Sequence, residues 1–381
     1  MKQFFLMLVL FSVAYGPAFS AGPGEPIKIA ALYNLTGEMS SIDLPAYRGA
    51  QLAVELINRA GGLLEGRKLE LICLDTRSDP ETVAEQARQI LEKAPIAGIG
   101  YCDTTYVMAA GPIFARKGVP FITSGATDPD IPEELGPGVI MTTFGDDDQA
   151  HAMAHFALDV LKARRVALWT DVSMDFTRGL SSFFKKRFTR RGGKVVSEDF
   201  FKTGDKDFSG HVARLKALSP QPDAIFVSAV PGEAVQIVAQ LRSEGVTMPI
   251  LSGDGFDSDI ASALPAKNMA DNLYFSTHSY RGQTRKEVLE FIEAYKKKFG
   301  TEPENAFAAL GFDAINLLAD SIKRAGTTAS TPLMKALYAT RSFQGVTGEI
   351  SFARPSHVPV KPISIIGIKN GEYKVMETWK P

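Results

Sequence analysis

In "GVPFITSGATDP" (118–129), the strand-type residues Val119, Phe121, Ile122 and Thr123 run into Ser124, Gly125, Ala126 and Thr127. A strand that stops in small residues, bare amides and hydroxyls suits a nucleophile's turn, a phosphate cradle, a seat for another anion, or a plain turn. Two other junctions have comparable chemistry. "IGYCDTTY" (99–106) sets Thr104 and Thr105 beside Asp103 at a strand-to-helix step, where a helix start offers free N–H groups and a positive dipole end. "SGDGFDSD" (252–259) places Asp254 between two glycines, with Asp257 close behind, directly after the strand "PIL". Ligands of open α/β sheets bind at the carboxyl ends of strands. Asp254 reads either as a turn aspartate bonding its own backbone or as the partner of a ligand's ammonium, with the hydroxyl patch as a seat for a carboxylate.

Other chemistries find less support. Ser124 stands in "TSGAT", not in a G-x-S-x-G elbow, and no histidine has a context that marks it as a base. No Walker A sequence is present, and the "LTG" after the first strand does not match G-x-G-x-x-G. His151 and His155 are four apart and so share a helix face, but the glutamate of H-E-x-x-H and a third ligand are missing. Asp146, Asp147 and Asp148 ahead of them suit a solvated helix start favoured by the dipole. The expectation is a protein with no catalytic residue, no metal and no cofactor.

The elements that must position these residues alternate strand and helix. "IKIAALY" (27–33), "LELICLD" (69–75), "IAGIG" (96–100) and "VPFIT" (119–123) read as strands, separated by helices over 45–62, 78–94 and 105–116. Ser78 three residues before Glu81 predicts a capping box, with Pro80 in the first turn. The rhythm restarts after "VIMTTF" (139–144). Helices near 148–162, 178–190, 207–218 and 233–245 alternate with the strands "VALWTD", "KVVSEDF", "AIFVSA" and "PILSG". Two such series predict parallel sheets covered by helices on both faces, in two doubly wound Rossmann-like lobes. The last third departs from the pattern: after "NLYFST" come two long helices (284–298, 304–325), then the short strands "EISF" and "PISIIGI".

The first twenty residues have the build of a secretory leader: Lys2, the apolar run "FFLMLVLFSVA", then small residues Ala18 and Ser20 before Ala21. With no cysteine at that junction a lipid anchor is not expected, and the reading is a free periplasmic protein. The remaining roughly 360 residues exceed what one core usually serves, which favours two domains. A net charge of −1 gives no electrostatic case for nucleic acid or a membrane surface. Cys73 and Cys102, in different strand contexts, are expected as separate thiols.

At this point the chain resembles the leucine/isoleucine/valine-binding family of type I periplasmic binding proteins, the receptors of branched-chain amino-acid ABC transporters. The likeness runs through "RGAQLAVELINRAGG", "LDTRSDPETV", "GVPFITSGATDP", "GDKDFSGHVARLKALSPQPDAIFV" and "SGDGFDSD", and continues in "FIEAYKKKFGTEPENAFAALGFDAINLLADSI" and "FQGVTGEISF". It implies two α/β lobes joined by three hinge crossings: residues 21–144 with 279–345, and 145–278 with 346–381. By resemblance the ligand's carboxylate falls to Thr104, with Thr105 adjacent, and to the amides and hydroxyl of Gly125, Ala126 and Thr127. Cys102, in the loop just before the threonines, joins the candidate set. The ammonium falls to Asp254 and to a carbonyl near Gly125. Phe176, Val230 and Ile42 stand where the family carries tyrosines, and Phe256 and Tyr106 are further candidates for wall surface. The implied function is an amino-acid receptor with an apolar pocket, probed as a monomer by an inner-membrane permease and its ATPase. The same fold binding an aromatic acid or amide, or a sensory receptor, are the rival readings.

Overall fold

The structure is a computed structural model that describes residues 24–279 and 282–381; the leader read over residues 1–20 lies outside the described residues. Runs of β-branched and aliphatic residues, buried on both faces, build a first sheet from β1 (Ile27–Tyr33), β2 (Leu69–Asp75), β3 (Ala97–Gly100), β4 (Phe121–Thr123) and β5 (Val139–Met141). Its order is β2-β1-β3-β4-β5, all parallel. The second sheet contains β6 (Arg165–Asp171), β7 (Lys194–Phe201), β8 (Ala224–Ser228), β9 (Ile250–Ser252) and β10 (Leu273–Thr277), with parallel order β7-β6-β8-β9-β10. The same winding is thus used twice, and each sheet has its switch in strand order beside its first strand.

The chain passes from the first sheet to the second after β5 and leaves again after β10. The Lys286–Phe299 and Ala306–Ala325 helices then pack on the first lobe. A small hairpin, β11 (Phe343–Gly345) and β12 (Gly348–Ile350), precedes the return, and β13 (Ile363–Lys369) and β14 (Glu372–Trp379) add antiparallel strands to the second sheet. The fold is therefore α/β with two doubly wound lobes.

Local readings needed some correction. Ser78 is not the cap of its helix: Asp79 is, its side chain accepting from the Glu81 N–H, while Ser78 Oγ accepts from the Met39 N–H and donates to the Thr36 carbonyl. The helix near 148–162 begins at Asp146 and ends in a π turn, Phe156–Val160. Strand β14 went unread because its sequence, "EYKVMETW", is an exposed edge with charges on its open face. Cys73 and Cys102 are both free thiols, and burial pushes both up, Cys73 to about 12.

Two glycines allow the closest helix contact. The Ser40–Arg59 and Ala306–Ala325 helices cross so tightly that a Cβ on Gly49 would fall on the Ala308 carbonyl, and one on Gly311 on the Ala46 carbonyl. This crossing fixes Phe307 at one end and Ile42 at the other, both on the cleft wall described below. Replacing Gly311 by Val should cost about 3 kcal/mol by overpacking. The cost would be read as a lower urea midpoint with unchanged slope; an unaltered midpoint would show that the helices do not meet here.

Candidate functional site

The carboxyl ends of the two sheets face each other across a cleft. Between them lies a narrow space, about 10 Å³ of it free, lined by Met39, Ile42, Cys102, Asp103, Thr127 and Phe307 from one side, and Phe176, Val230, Pro231, Asp254 and Gly255 from the other. That is room for hardly more than one water, so a solute enters only where the two walls stand further apart. A larger groove of about 400 Å³ opens near Phe291, Phe312 and Phe343, away from the strand ends.

Each wall group follows from a strand end. After β3 the chain turns at Tyr101 and exposes Cys102 and Asp103 before the Thr104–Arg116 helix. Asp43, fully buried, clamps that turn, accepting from the Cys102 N–H and the Asn34 N–H at 2.8 Å each. Burial drives its carboxyl up to about 6. Asp103 is the helix cap: Oδ1 accepts from the Thr105 N–H at 2.7 Å, while the buried Oδ2 has no partner. Val230 ends the segment after β8, and Asp254 follows β9.

Asp254 sits in a net of neutral donors. Its Oδ1 accepts from Gln149 Nε2 at 2.9 Å and its Oδ2 lies 3.0 Å from His278 Nε2. Gln149 uses all four of its hydrogen-bonding positions: Nε2 also donates to Asp146 Oδ1, and Oε1 accepts from Ser276 Oγ and the Asp254 N–H. Burial pulls His278 down against the opposing pull of Asp254, so its imidazole is neutral at pH 7. Burial, and then the charge of Asp254, push Asp146 far above the usual carboxylate range. The carboxylate is held in place, but its charge is not cancelled by any neighbouring cation.

Of the candidates from sequence, Ile42, Cys102, Thr127, Phe176, Val230 and Asp254 line this space; Thr104, Thr105, Gly125, Ala126 and Phe256 do not. The amides of Gly125 and Ala126 already donate to Thr123 Oγ1, and a Cβ on Gly125 would press on Cys102 and Phe307, so this glycine serves a close chain contact. Ser124 bonds Tyr33 through its hydroxyl at 2.6 Å. Thr105 Oγ1 accepts from the Asp175 N–H of the opposite lobe, and Thr104 Oγ1 is buried without a partner. Phe256 belongs to the core of the second lobe, and the Tyr106 hydroxyl donates to the Ser78 carbonyl. Met39, Asp103, Pro231, Gly255 and Phe307 were not singled out from sequence as binding residues. Asp103 had a signal, an acid beside two threonines at a helix start, but the threonines rather than the acid were taken as the binding groups. His155 is taken up by Asp159 and Glu377, and the described residues hold no group of three or more metal-ligating side chains.

A two-lobed α/β protein with a small closed cleft at paired strand ends is a solute-binding architecture, and the comparisons agree. The chain belongs to the periplasmic binding protein family, whose model matches residues 26–372. The Leu/Ile/Val-binding protein homolog 3 of Brucella melitensis is 26% identical over 372 residues, 97% of this chain and 99% of the relative. Among solved structures, the branched-chain amino acid transporter substrate binding protein LivJ of Streptococcus pneumoniae, in complex with isoleucine, matches with a TM-score of 0.86 and 30% identity, covering 93% of this chain and 100% of that one. A solute-binding protein of an R. palustris ABC transporter, in complex with benzoate, has a TM-score of 0.84 at 21% identity over 93% and 97% of the chains, a likeness of fold alone. The chain is thus a substrate-binding protein of the ABC-transporter kind in the branched-chain amino-acid-binding family, whose members are receptors rather than enzymes and work outside the cytoplasm.

The net around Asp254 yields a stability test. Gln149→Leu keeps the size of the side chain but strips the donors from Asp254 and Asp146 and the acceptor from Ser276. It should lower unfolding free energy by about 3 kcal/mol, as expected when buried charged or polar groups lose their partners. Ser276→Ala, which removes one neutral bond, should cost about 1 kcal/mol. Equal costs in urea unfolding would mean that the amide is not the hub.

Proposed function

We propose that this protein binds an α-amino acid with a compact apolar side chain between its lobes and presents it to an inner-membrane permease and its ATPase. The observation that carries the reading is the wall's charge: it holds Asp254 and Asp103 and no lysine or arginine. A ligand entering such a cleft must bring the positive charge itself, and a charge-assisted bond from an ammonium to Asp254 is the strong interaction available. Met39, Ile42, Phe176, Val230 and Phe307 supply an apolar surround for an aliphatic side chain. The Leu/Ile/Val-binding relatives support the same class. The expected carboxylate contacts are Thr127, on the wall, and the Thr104 hydroxyl, buried without a partner off the closed wall at the start of its helix, and the working form is a periplasmic monomer. Residues 21–144 with 279–345 and 145–278 with 346–381 are proposed as the two moving lobes, closing because ligand touches both only in the closed state.

A bare carboxylic acid such as benzoate has nothing to offer Asp254. A thermal-shift screen separates the two: L-leucine, L-isoleucine or L-valine should raise the melting temperature, as a ligand specific to the native state must, while benzoate should not. Asp254→Ala should weaken amino-acid binding on the order of a hundredfold, about 3 kcal/mol, as for a buried charge pair that loses one member. Unchanged affinity in that variant would remove the amino-acid reading.

A further inference from the structure

Asp257 follows Asp254 in the same strand-end turn, yet it is not among the residues of the cleft wall. Half-buried, it works on the seam between the lobes instead. Its Oδ2 accepts from the Thr277 hydroxyl of its own lobe and, at 3.2 Å, from the Ala306 N–H of the first lobe. That amide opens the Ala306–Ala325 helix and belongs to the N–H donors that have no partner inside a helix. Asn305 caps the next one, accepting from the Phe307 N–H at 3.1 Å. Its side-chain amide donates to the Ser41 carbonyl, which ties this helix start to the first lobe. On the other flank the arrangement is repeated with the lobes exchanged. The first N–H of the Asp175–Arg190 helix, on the second lobe, donates to Thr105 Oγ1 on the first at 3.1 Å. All four residues stand within two positions of the wall: Thr105 of Asp103, Asp175 of Phe176, Asp257 of Gly255 and Ala306 of Phe307.

We propose that these two cross-lobe bonds are the latch of the closed cleft, and that Asp257 sets how long a bound solute is held without touching it. The proposal rests on the closing motion and the amino-acid reading above. When the lobes part, the two helix amides turn to water, so each bond is made only as the walls meet. The Asp257 bond is the stronger of the pair. It sets a carboxylate on the positive end of a helix of 20 residues, a charge-assisted contact, whereas Thr105 offers a neutral hydroxyl oxygen. Neither acceptor lines the space that the solute enters, so the encounter with the open cleft does not involve them. They act when the closed form reopens, and reopening precedes release. A latch of this kind therefore changes the dissociation rate and leaves association alone.

Stopped-flow rates for L-leucine separate a latch from a structural brace. In Asp257→Ala the dissociation rate should rise about tenfold while association stays within about twofold of wild type. Thr105→Val, which loses the neutral acceptor, should raise dissociation by about threefold. Asp257→Asn keeps the size and an acceptor without the charge; it should give a smaller rise than Asp257→Ala, and it serves if that variant folds poorly. Unchanged dissociation in both Asp257 variants would overturn the proposal, as would slower association that accounts for the whole loss of affinity. If wild type binds none of leucine, isoleucine and valine, the amino-acid reading fails, and small-angle scattering of the ligand-free protein decides the latch separately. A larger radius of gyration in Asp257→Ala than in wild type would support it, and an equal one would overturn it.

Discussion

A carboxylate can stay ionised in a closed cleft only if dipoles hold it, and this condition organises the site. Asp254 is gripped by the Gln149 amide and a neutral His278 ring rather than by lysine or arginine. A resident cation would cancel the charge and leave nothing for a ligand to satisfy. Neutral donors orient the group and leave its charge to be met from outside. Asp146, which shares the Gln149 amide, has its carboxyl pushed far above the usual range by burial and then by the charge of Asp254.

The net also reaches the hinge. Gln149 comes from the helix just after the first crossing, and Ser276 and His278 from the end of β10, just before the second. The His278 ring stacks on Phe144 at 3.7 Å between centroids, so the first two crossings touch. At the third, the buried Lys361 ammonium donates to the Thr142 carbonyl and to Thr347, and Asp313 accepts from Thr347 and from the Val346 N–H. Burial pulls Lys361 down to about 8, with Asp313 opposing. The three connections therefore behave as one cross-linked strip, with Asp254 attached to it.

Much of this was legible because the central strands are buried on both faces and so write themselves as apolar runs, while the edge strand β2 alternates. β1 and β2 match their sequence bounds, and the alternation of strands with helices leaves few topologies to choose from. Strand-end chemistry was legible for the same reason: Asp254 and Thr127 follow apolar runs directly. Less visible were groups brought in from elsewhere. Met39 and Phe307 reach the wall through a helix crossing set by two glycines, and no local pattern announces that. Gln149 and His278 lie 105 and 24 residues from Asp254, so the net around it has no spacing to read. The amides of Gly125 and Ala126 looked free in sequence, yet the preceding Thr123 hydroxyl takes both, a local turn bond that competes with any ligand.

What remains on the wall defines the ligand by subtraction. Each buried wall atom able to bond must be satisfied by the solute or by water, or left at a cost of about 1–3 kcal/mol. Phe176, Val230 and Ile42, where the resembled family carries phenols, remove three hydroxyls from that account. On the proposed amino-acid reading, fewer polar wall atoms mean fewer obligations on the ligand's side-chain end, and the polar matching falls on its two charged ends. Selectivity for the side chain is then a matter of shape against aliphatic and phenyl surface, which distinguishes one methylene by only about 1–3 kcal/mol. On the proposed amino-acid reading, a wall of this kind would separate amino acids sharply from other solutes and only gently from one another.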